Sequence, residues 1–289
     1  LKETIWVVLK EVFNMKSCKE YASECKEQLK KVIETKKRLL YRQPVLAVVQ
    51  IGDDAASSSY IKGKLKDCED VGMVCKHIHL EENENDTYSV SKILLELSED
   101  VDYDGIILQL PIPDKFDLPV LQNCISSEKD VDGFRKDSMF DPCTPKGIIG
   151  WLDDNKYDYE GKKAIVIGRS NIVGKPLVNM LIEKGATVTS CNSKTPNLKD
   201  YTGNADLIIS AIGSPKYFLS SFFYTNQVIV DVGINRDENG KLCGDIDYDD
   251  VRRWGNTYVT PVPGGVGLLT RVALLQNTYE AYKRKIEGE

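Results

Sequence analysis

Short apolar runs that end in glycine or proline alternate along this chain with longer stretches whose apolar residues recur at helical spacing. From Lys16 to about Arg38 the sequence is polar-periodic and rich in Lys and Glu, which predicts a surface helix. VLAVVQIG (Val45–Gly52) is a short apolar run closed by glycine, the pattern of a buried strand. Asp53 and Asp54 follow and can cap a helix from about Ala56 to Val71, which Gly72 should stop. VCKHIHL alternates as a second strand, TYSVSKILLELSED is an amphipathic helix, and GIILQLPIP (Gly105–Pro113) is a third buried strand ending at prolines.

A second series begins after DPCTPKG, which reads as a loop. KKAIVIG (Lys162–Gly168) is a buried strand, and GKPLVNMLIEKG is a helix with Gly185 as its stop. ATVTSCNS, ADLIISAIG and QVIVDVGIN are further strands, and YVTPVPGGVG is loop-like. LLTRVALLQNTYEAYKRKIEG has helical apolar spacing and basic residues near its end, which suits the helix dipole. There is no solenoid repeat and no low-complexity tract.

Strands alternating with helices imply βαβ units and parallel sheets. The fold class is therefore α/β, with two units joined near residue 146, the second a Rossmann-like dinucleotide-binding sheet. Such sheets bind ligands beyond the carboxyl ends of their strands. That rule selects the residues just after Gly52, Ile107, Gly168, Cys191, Ile212 and Val232 as site candidates.

The length of 289 residues suits two domains better than one or three. The net charge of −6 leaves no basic footprint for nucleic acid and no polybasic membrane patch. Eight cysteines without a C-x-x-C pair, and only two histidines, His77 and His79, argue against structural zinc. Scattered cysteines without a secretory signal fit a reducing, cytoplasmic compartment. The opening LKETIWVVLKEVF is too short and too charged to span a membrane. We expect it to precede a native start at Met15, because codons for Lys10-Glu11-Val12 can read as a ribosome-binding sequence, and to be dispensable, because its charges prevent a membrane role; a genuine N-terminal helix is the other reading.

GRSNIVGKP (Gly168–Pro176) sets glycines around a strand-to-helix turn, where a backbone can approach a pyrophosphate lying on a helix N-terminus. It is neither G-x-G-x-x-G nor a P-loop, and taken alone it reads equally as a plain turn. The next strand end, Cys191-Asn192-Ser193-Lys194-Thr195, lacks the acid that an NAD enzyme places on the ribose. Arg169 with nearby hydroxyls suits a 2′-phosphate, hence NADP over NAD, although Arg169 taken alone is also a solvated surface charge.

Tyr60 and Lys64 are four apart on a predicted helix and share a face, whereas Lys62 and Lys66 point elsewhere. A lone helical lysine is usually a surface lysine; it serves proton transfer only where burial or neighbours lower its pKa. Gln109 ends the third strand and can reach the same region, or be a buried amide bonded to backbone. Asp130 and Asp132 in KDVDGF read equally as a polar turn.

In order, YIKGK (Tyr60–Lys64), GIILQLPIP, KDVDGF, PCTPKG, GRSNIVGKP, DVGIN and TPVPGGVG form a series that resembles the bifunctional methylenetetrahydrofolate dehydrogenase/cyclohydrolase family over about residues 16–285. The resemblance implies two domains with a cleft between them: a folate-binding catalytic domain over 15–145 with the final helix, about 270–289, returning to it, and an NADP-binding domain over 146–269. It implies a homodimer, tetrahydrofolate derivatives as substrates, NADP as cofactor and no metal. By resemblance Lys64 drives proton transfer in the cyclohydrolase step, Tyr60 lines the folate, Gln109 tunes the lysine and Asp132 binds the amino-pyrimidine edge of the pterin. Leu108 and Leu110 flank Gln109 in the substrate site, and Pro263, Gly264, Gly265, Val266 and Gly267 match the loop over the folate. Gly168, Arg169, Ser170, Ser193 and Ile234 match NADP contacts, and Thr270 a residue near the nicotinamide.

One departure bears on pocket shape and on how the folate loop enters the last helix. Where the family usually reads Pro-Met-Thr-Val, this chain has Leu268, Leu269, Thr270 and Arg271. Three rival readings carry less of the sequence. A dehydrogenase without the hydrolytic step would not need Lys64. A non-catalytic folate or nucleotide binder would not need the full polar set. Another two-domain NADP dehydrogenase, such as one acting on a cyclic hydroxy acid, would not explain KDVDGF or PVPGGVG.

Overall fold

In the computed structural model, residues 15–253 and 257–288 are described. The expectation about a start at Met15 and a dispensable leader falls on residues 1–14, outside them. The chain divides into two compact units, one made of Ser23–Cys143 with the chain from Arg271 on, the other of the described residues up to Ala22 with Thr144–Thr270.

The first unit holds most of α1 (Cys18–Arg38) and then β1 (Val45–Ile51), α2 (Ala55–Val71), β2 (Val74–Leu80), α3 (Thr87–Glu99), β3 (Gly105–Leu108) and α4 (Leu118–Cys124). The strands form a parallel sheet in the order β2-β1-β3, so β1 is central and its apolar run is buried on both faces. Period-two alternation sorts the side chains. Leu46, Val48 and Ile107 join Ile61, Cys68 and Val71 of α2, while Ala47, Val49, Ile106 and Leu108 join Val90, Leu94 and Leu97 of α3. Asp54 caps α2 by accepting from the Ser57 amide at 2.7 Å, and Gly72 ends it in the left-handed region at φ 84°. The third strand is shorter than expected: Gln109 N still donates to Val49 O at 2.8 Å, but Pro111 and Pro113 beyond it have no N–H for a ladder.

The second unit contains most of α5 (Cys143–Asp154), then β4 (Lys163–Ile167), α6 (Gly174–Glu183), β5 (Thr187–Cys191), α7 (Leu198–Thr202), β6 (Leu207–Ser210), β7 (Val228–Asp231), the small hairpin β8 (Asn235–Arg236) and β9 (Leu242–Cys243), α8 (Tyr248–Arg253) and β10 (Tyr258–Val259). Five strands are parallel in the order β10-β7-β6-β4-β5. Chain order reverses between β4 and β6, so the loops after those strands flank the switch point where open sheets of this kind bind ligands. The final helix α9 (Val266–Glu287) begins in this unit and continues in the first, where Tyr282 donates to Arg42 O at 2.7 Å.

Two stretches read as loops are ordered otherwise. From Cys143 on, DPCTPKG opens α5, whose Ile148, Trp151 and Leu152 are fully buried. Within YVTPVPGGVG, Tyr258 and Val259 pair with β7, and Val266 and Gly267 open α9.

Candidate active site

Helix α2 presents Tyr60, Lys64 and Asp67 on one face, at spacings of one and two turns. Lys62 and Lys66 are exposed, while Lys64 is 8 % exposed, so packing rather than local sequence separates these lysines. Lys64 Nζ donates to Gln109 Oε1 at 2.9 Å and lies 6.0 Å from the centre of the Tyr60 ring. Gln109 in turn donates through Nε2 to Leu110 O at 2.6 Å, which fixes its oxygen toward the lysine. Leu108 packs its side chain into the core beside α3, and Leu110 is half-buried.

Asp132 belongs to the same group. Burial pushes its carboxyl up, against the pull of the Lys64 ammonium, and Asp130 adds a like charge. The turn that presents it is tightly held. Gly133 has φ 73°, and a Cβ there would press on the backbone of Asp141 and Pro142. Cys143 N donates to Asp132 O at 3.2 Å, and Asn277 Nδ2 of α9 reaches Val131 O at 2.9 Å and Asp141 O at 3.1 Å. Asp130, read as a turn residue, is buried and accepts from Arg135 N at 2.8 Å, so it braces the turn. Sequence reasoning did not single out Asn277 or Asp67. The signal for Asn277 was a polar residue inside the apolar stripe of the last helix.

Arg271, where the resemblance implies an apolar residue, donates through Nε to Asp67 Oδ2 at 2.5 Å and through Nη2 to Gly63 O at 2.9 Å. Burial raises the Tyr60 phenol, while Arg271 lowers it and Asp132 raises it.

The second unit carries the cofactor candidates. Gly168 ends β4 at φ 117°, and a Cβ on it would meet Ala211 O of the loop after β6. A Cβ on Gly174, first residue of the ten-residue α6, would overlap Gly168 O. The turn thus closes on itself, with the Ser170 hydroxyl over the first amides of the helix. Ser170 Oγ accepts from the Val173 amide at 3.2 Å. Arg169, Ser170 and Ser193 are exposed, and Ile234 after β7 is 54 % exposed. The residues after β5 include no acid: Asn192 N donates to Thr195 Oγ1 at 2.9 Å, and Ser193 lies between them. A glycine cradle at a helix N-terminus, with a guanidinium and hydroxyls nearby and no ribose-seeking carboxylate, fits NADP.

The loops after β6 and β7, the second of which bears Ile234, hang on two buried carboxylates. Asp245 accepts from Ser210 Oγ at 2.9 Å, Ile212 N at 2.8 Å, Ser214 N at 2.9 Å and Asn235 Nδ2 at 2.9 Å. Asp231 accepts from Gly233 N and Asp245 N, each at 3.0 Å, and from Ile246 N at 2.9 Å. Burial nevertheless pushes the Asp231 carboxyl up to about 7.

The segment from Pro263 to Gly267 is a turn and helix start. Gly264 has φ 99°, a Cβ on Gly265 would meet Pro261 O, and Val266 and Gly267 begin α9. Thr270 Oγ1 lies 2.9 Å from Thr144 Oγ1 and donates to Val266 O at 3.2 Å. Leu269, one of the departures, is fully buried, and a Cβ on Gly147 would press on its backbone. Among the described residues, no helix is long and apolar enough to cross a membrane.

In sequence and in fold the chain is similar to known proteins. A family model described as the catalytic domain of tetrahydrofolate dehydrogenase/cyclohydrolase matches residues 17–132, and one described as its NAD(P)-binding domain matches residues 142–286. The "Bifunctional protein FolD" of Bacillus mycoides (strain KBAB4) is 43% identical, over 92% of this chain and 95% of its own. The crystal structure of the bifunctional FolD methylenetetrahydrofolate dehydrogenase/cyclohydrolase from Campylobacter jejuni superposes with a TM-score of 0.88 at 39% identity, covering 93% of this chain and 98% of that one. The Trypanosoma brucei N5,N10-methylenetetrahydrofolate dehydrogenase-cyclohydrolase, solved with NADP and an inhibitor, superposes with a TM-score of 0.86 at 27% identity, covering 94% and 98%. With both of its domains matched and nearly half of its residues shared with such relatives, this chain belongs to the tetrahydrofolate dehydrogenase/cyclohydrolase family.

Proposed function

We infer that this protein oxidises 5,10-methylenetetrahydrofolate to the 5,10-methenyl cation with NADP, and then adds water to give 10-formyltetrahydrofolate. The observation that carries the reading is a lysine 8 % exposed, hydrogen-bonded at 2.9 Å to a neutral amide, with a half-buried carboxylate within its field. A structural lysine would be expected to sit in an ion pair or in water, whereas a proton-handling lysine needs a partner that leaves its proton mobile.

Each residue then has a task. Asp132 holds the amino-pyrimidine edge of the pterin, for which a desolvated carboxylate is a strong acceptor. Tyr60 packs on the folate and excludes water. Lys64 as the amine takes, through Nζ, the proton of the water that attacks the methenyl carbon, the ammonium so formed returns a proton as the ring opens, and Gln109 Oε1 holds that nitrogen in place. Leu108 and Leu110 shape the wall beside Gln109, with Leu108 offering backbone only. Pro263, Gly264, Gly265, Val266 and Gly267 cover the folate by backbone, at the start of a helix. NADP, when bound, supplies the hydride acceptor. Gly168 and Ser170 receive its pyrophosphate at a helix N-terminus, Arg169 and Ser193 bind the 2′-phosphate, and Ile234 and Thr270 orient the nicotinamide end.

The family resemblance further supports a cytoplasmic homodimer whose product serves purine biosynthesis. A spectrophotometric assay with 5,10-methylenetetrahydrofolate and either NADP or NAD tests the activity. Reduction of NADP followed by decay of the methenyl absorbance is expected, and neither signal with either cofactor would overturn the reading.

A further inference from the structure

Gly63 stands in the middle of α2 with an ordinary helical backbone. Nothing in its own dihedrals calls for glycine, and glycine in a helix interior is destabilising relative to alanine. The reason lies in α9. A Cβ on Gly63 would fall 2.9 Å from Arg271 Cζ and 3.0 Å from its Nη1, so the guanidinium rests on the bare backbone of residue 63. From there Nη2 donates to Gly63 O at 2.9 Å, the carbonyl of the peptide bond leading into Lys64. That oxygen already closes a turn of α2, and its second lone pair is free for this bond. Nε meanwhile donates to Asp67 Oδ2, one turn beyond.

Asp67 is 5 % exposed and has one further cation, Lys26 Nζ at 3.1 Å, on a more exposed side chain. A planar guanidinium can hold a carboxylate and a carbonyl at once; an ammonium, as a point charge, does not reproduce that fork. Arg271 therefore grips α2 on both sides of Lys64, on the face that carries Tyr60.

We propose that Arg271 is a positioning residue for the hydrolytic step, its guanidinium clamping the turn of α2 that carries Lys64 and so keeping the Lys64 nitrogen on Gln109. The proposal rests on the reading of Lys64 as the proton carrier. It pairs Arg271, a departure from the family pattern, with Gly63, whose bare backbone leaves room for the guanidinium. An error of an ångström in a reacting group costs up to about a hundredfold in rate.

The experiment compares Arg271→Met, Arg271→Lys, Gly63→Ala and the double variant Gly63→Ala/Arg271→Met in the full chain, with Lys64→Met as the control for the underlying reading. Cyclohydrolase kcat and KM, dehydrogenase activity and Tm are measured for each. Arg271→Met is expected to lower cyclohydrolase kcat on the order of tenfold with little change in KM. Gly63→Ala displaces only the end of a flexible side chain and adds a better helix former, so it should lower kcat similarly while Tm holds. The double variant should lose no more than the worse single variant, because one clamp is broken twice. Arg271→Lys should recover Tm more than kcat. Inactive Lys64→Met beside full kcat in Gly63→Ala, or single losses that multiply in the double variant, would overturn the clamp alone. An active Lys64→Met would overturn the reading of Lys64 and the clamp with it. Should Arg271→Met fail to fold, Gly63→Ala still decides.

Discussion

Lys64 and Gln109, 45 residues apart in the chain, meet in a buried hydrogen bond of 2.9 Å in which the lysine nitrogen donates to an uncharged amide oxygen. Gln109 can do this because its own Nε2 is tied to Leu110 O. Gln109→Ala removes one buried bond, so cyclohydrolase activity should fall by roughly five- to a hundredfold. Dehydrogenase activity should fall less, since hydride transfer needs alignment rather than a proton carrier. Gln109→Glu should also fail in hydrolysis, because a carboxylate would hold the lysine charged. Measuring both steps on each variant checks this; a Gln109→Ala enzyme with unchanged hydrolysis would leave the amide as a plain structural bond.

The cofactor end makes a separate prediction. Arg169 is exposed beside an acid-free strand end. Arg169→Ala should weaken NADP by on the order of tenfold or more, the worth of a charge-assisted bond, and NAD far less. Titration with both cofactors decides, and equal losses would contradict the assignment of the 2′-phosphate to this residue.

Gly174→Ala tests the cradle itself. Its Cβ would overlap Gly168 O, forcing the turn open. NADP-dependent oxidation should be lost while preformed methenyltetrahydrofolate is still hydrolysed. Equal loss of the two activities would show that the turn supports the fold and not the cofactor.

Asp231 gives a pH signature in stability. Burial raises its carboxyl from the ordinary 3.8 to about 7, with Asp245 adding a like charge. The folded protein therefore keeps the proton where the unfolded chain has released it. The resulting stabilisation is complete below about pH 4 and is lost as pH rises through 7. The Tm of the natural protein relative to Asp231→Asn should fall between pH 4 and 7 and level off above. Parallel Tm profiles across that range would show that the carboxyl does not titrate there.

Much of this was legible in the sequence, for local reasons. The apolar run of β1, the cap at Asp54 and the stop at Gly72 are set by residues within a few positions of one another. The shared face of Tyr60 and Lys64 follows from helical spacing. What separates Lys64 from Lys62 and Lys66 is not local: it depends on Gln109 and on the turn around Asp132, both brought in by the sheet. Helix α5 was hidden by Pro145, Gly147 and Gly150, which look like loop residues. The structure shows the two glycines answering to distant neighbours, the Leu269 backbone and the Tyr21 hydroxyl, so their sequence signal was one of close packing. The pairing of Arg271 with Asp67 spans 204 positions, and no periodicity reports such a contact.

Lys64, on this reading, carries the protons of hydrolysis, whereas hydride transfer moves none. Its direct test is Lys64→Met, assayed for methenyltetrahydrofolate hydrolysis and for NADP reduction in the same preparation. Because the Lys64 ammonium also pulls the Asp132 carboxyl down, its removal lets that carboxyl rise, so substrate KM is measured alongside. Hydrolysis lower by about a hundred- to ten-thousandfold in kcat, with NADP reduction still measurable, is the expected result. Hydrolysis at the natural rate would contradict it and return Lys64 to the role of a buried structural lysine.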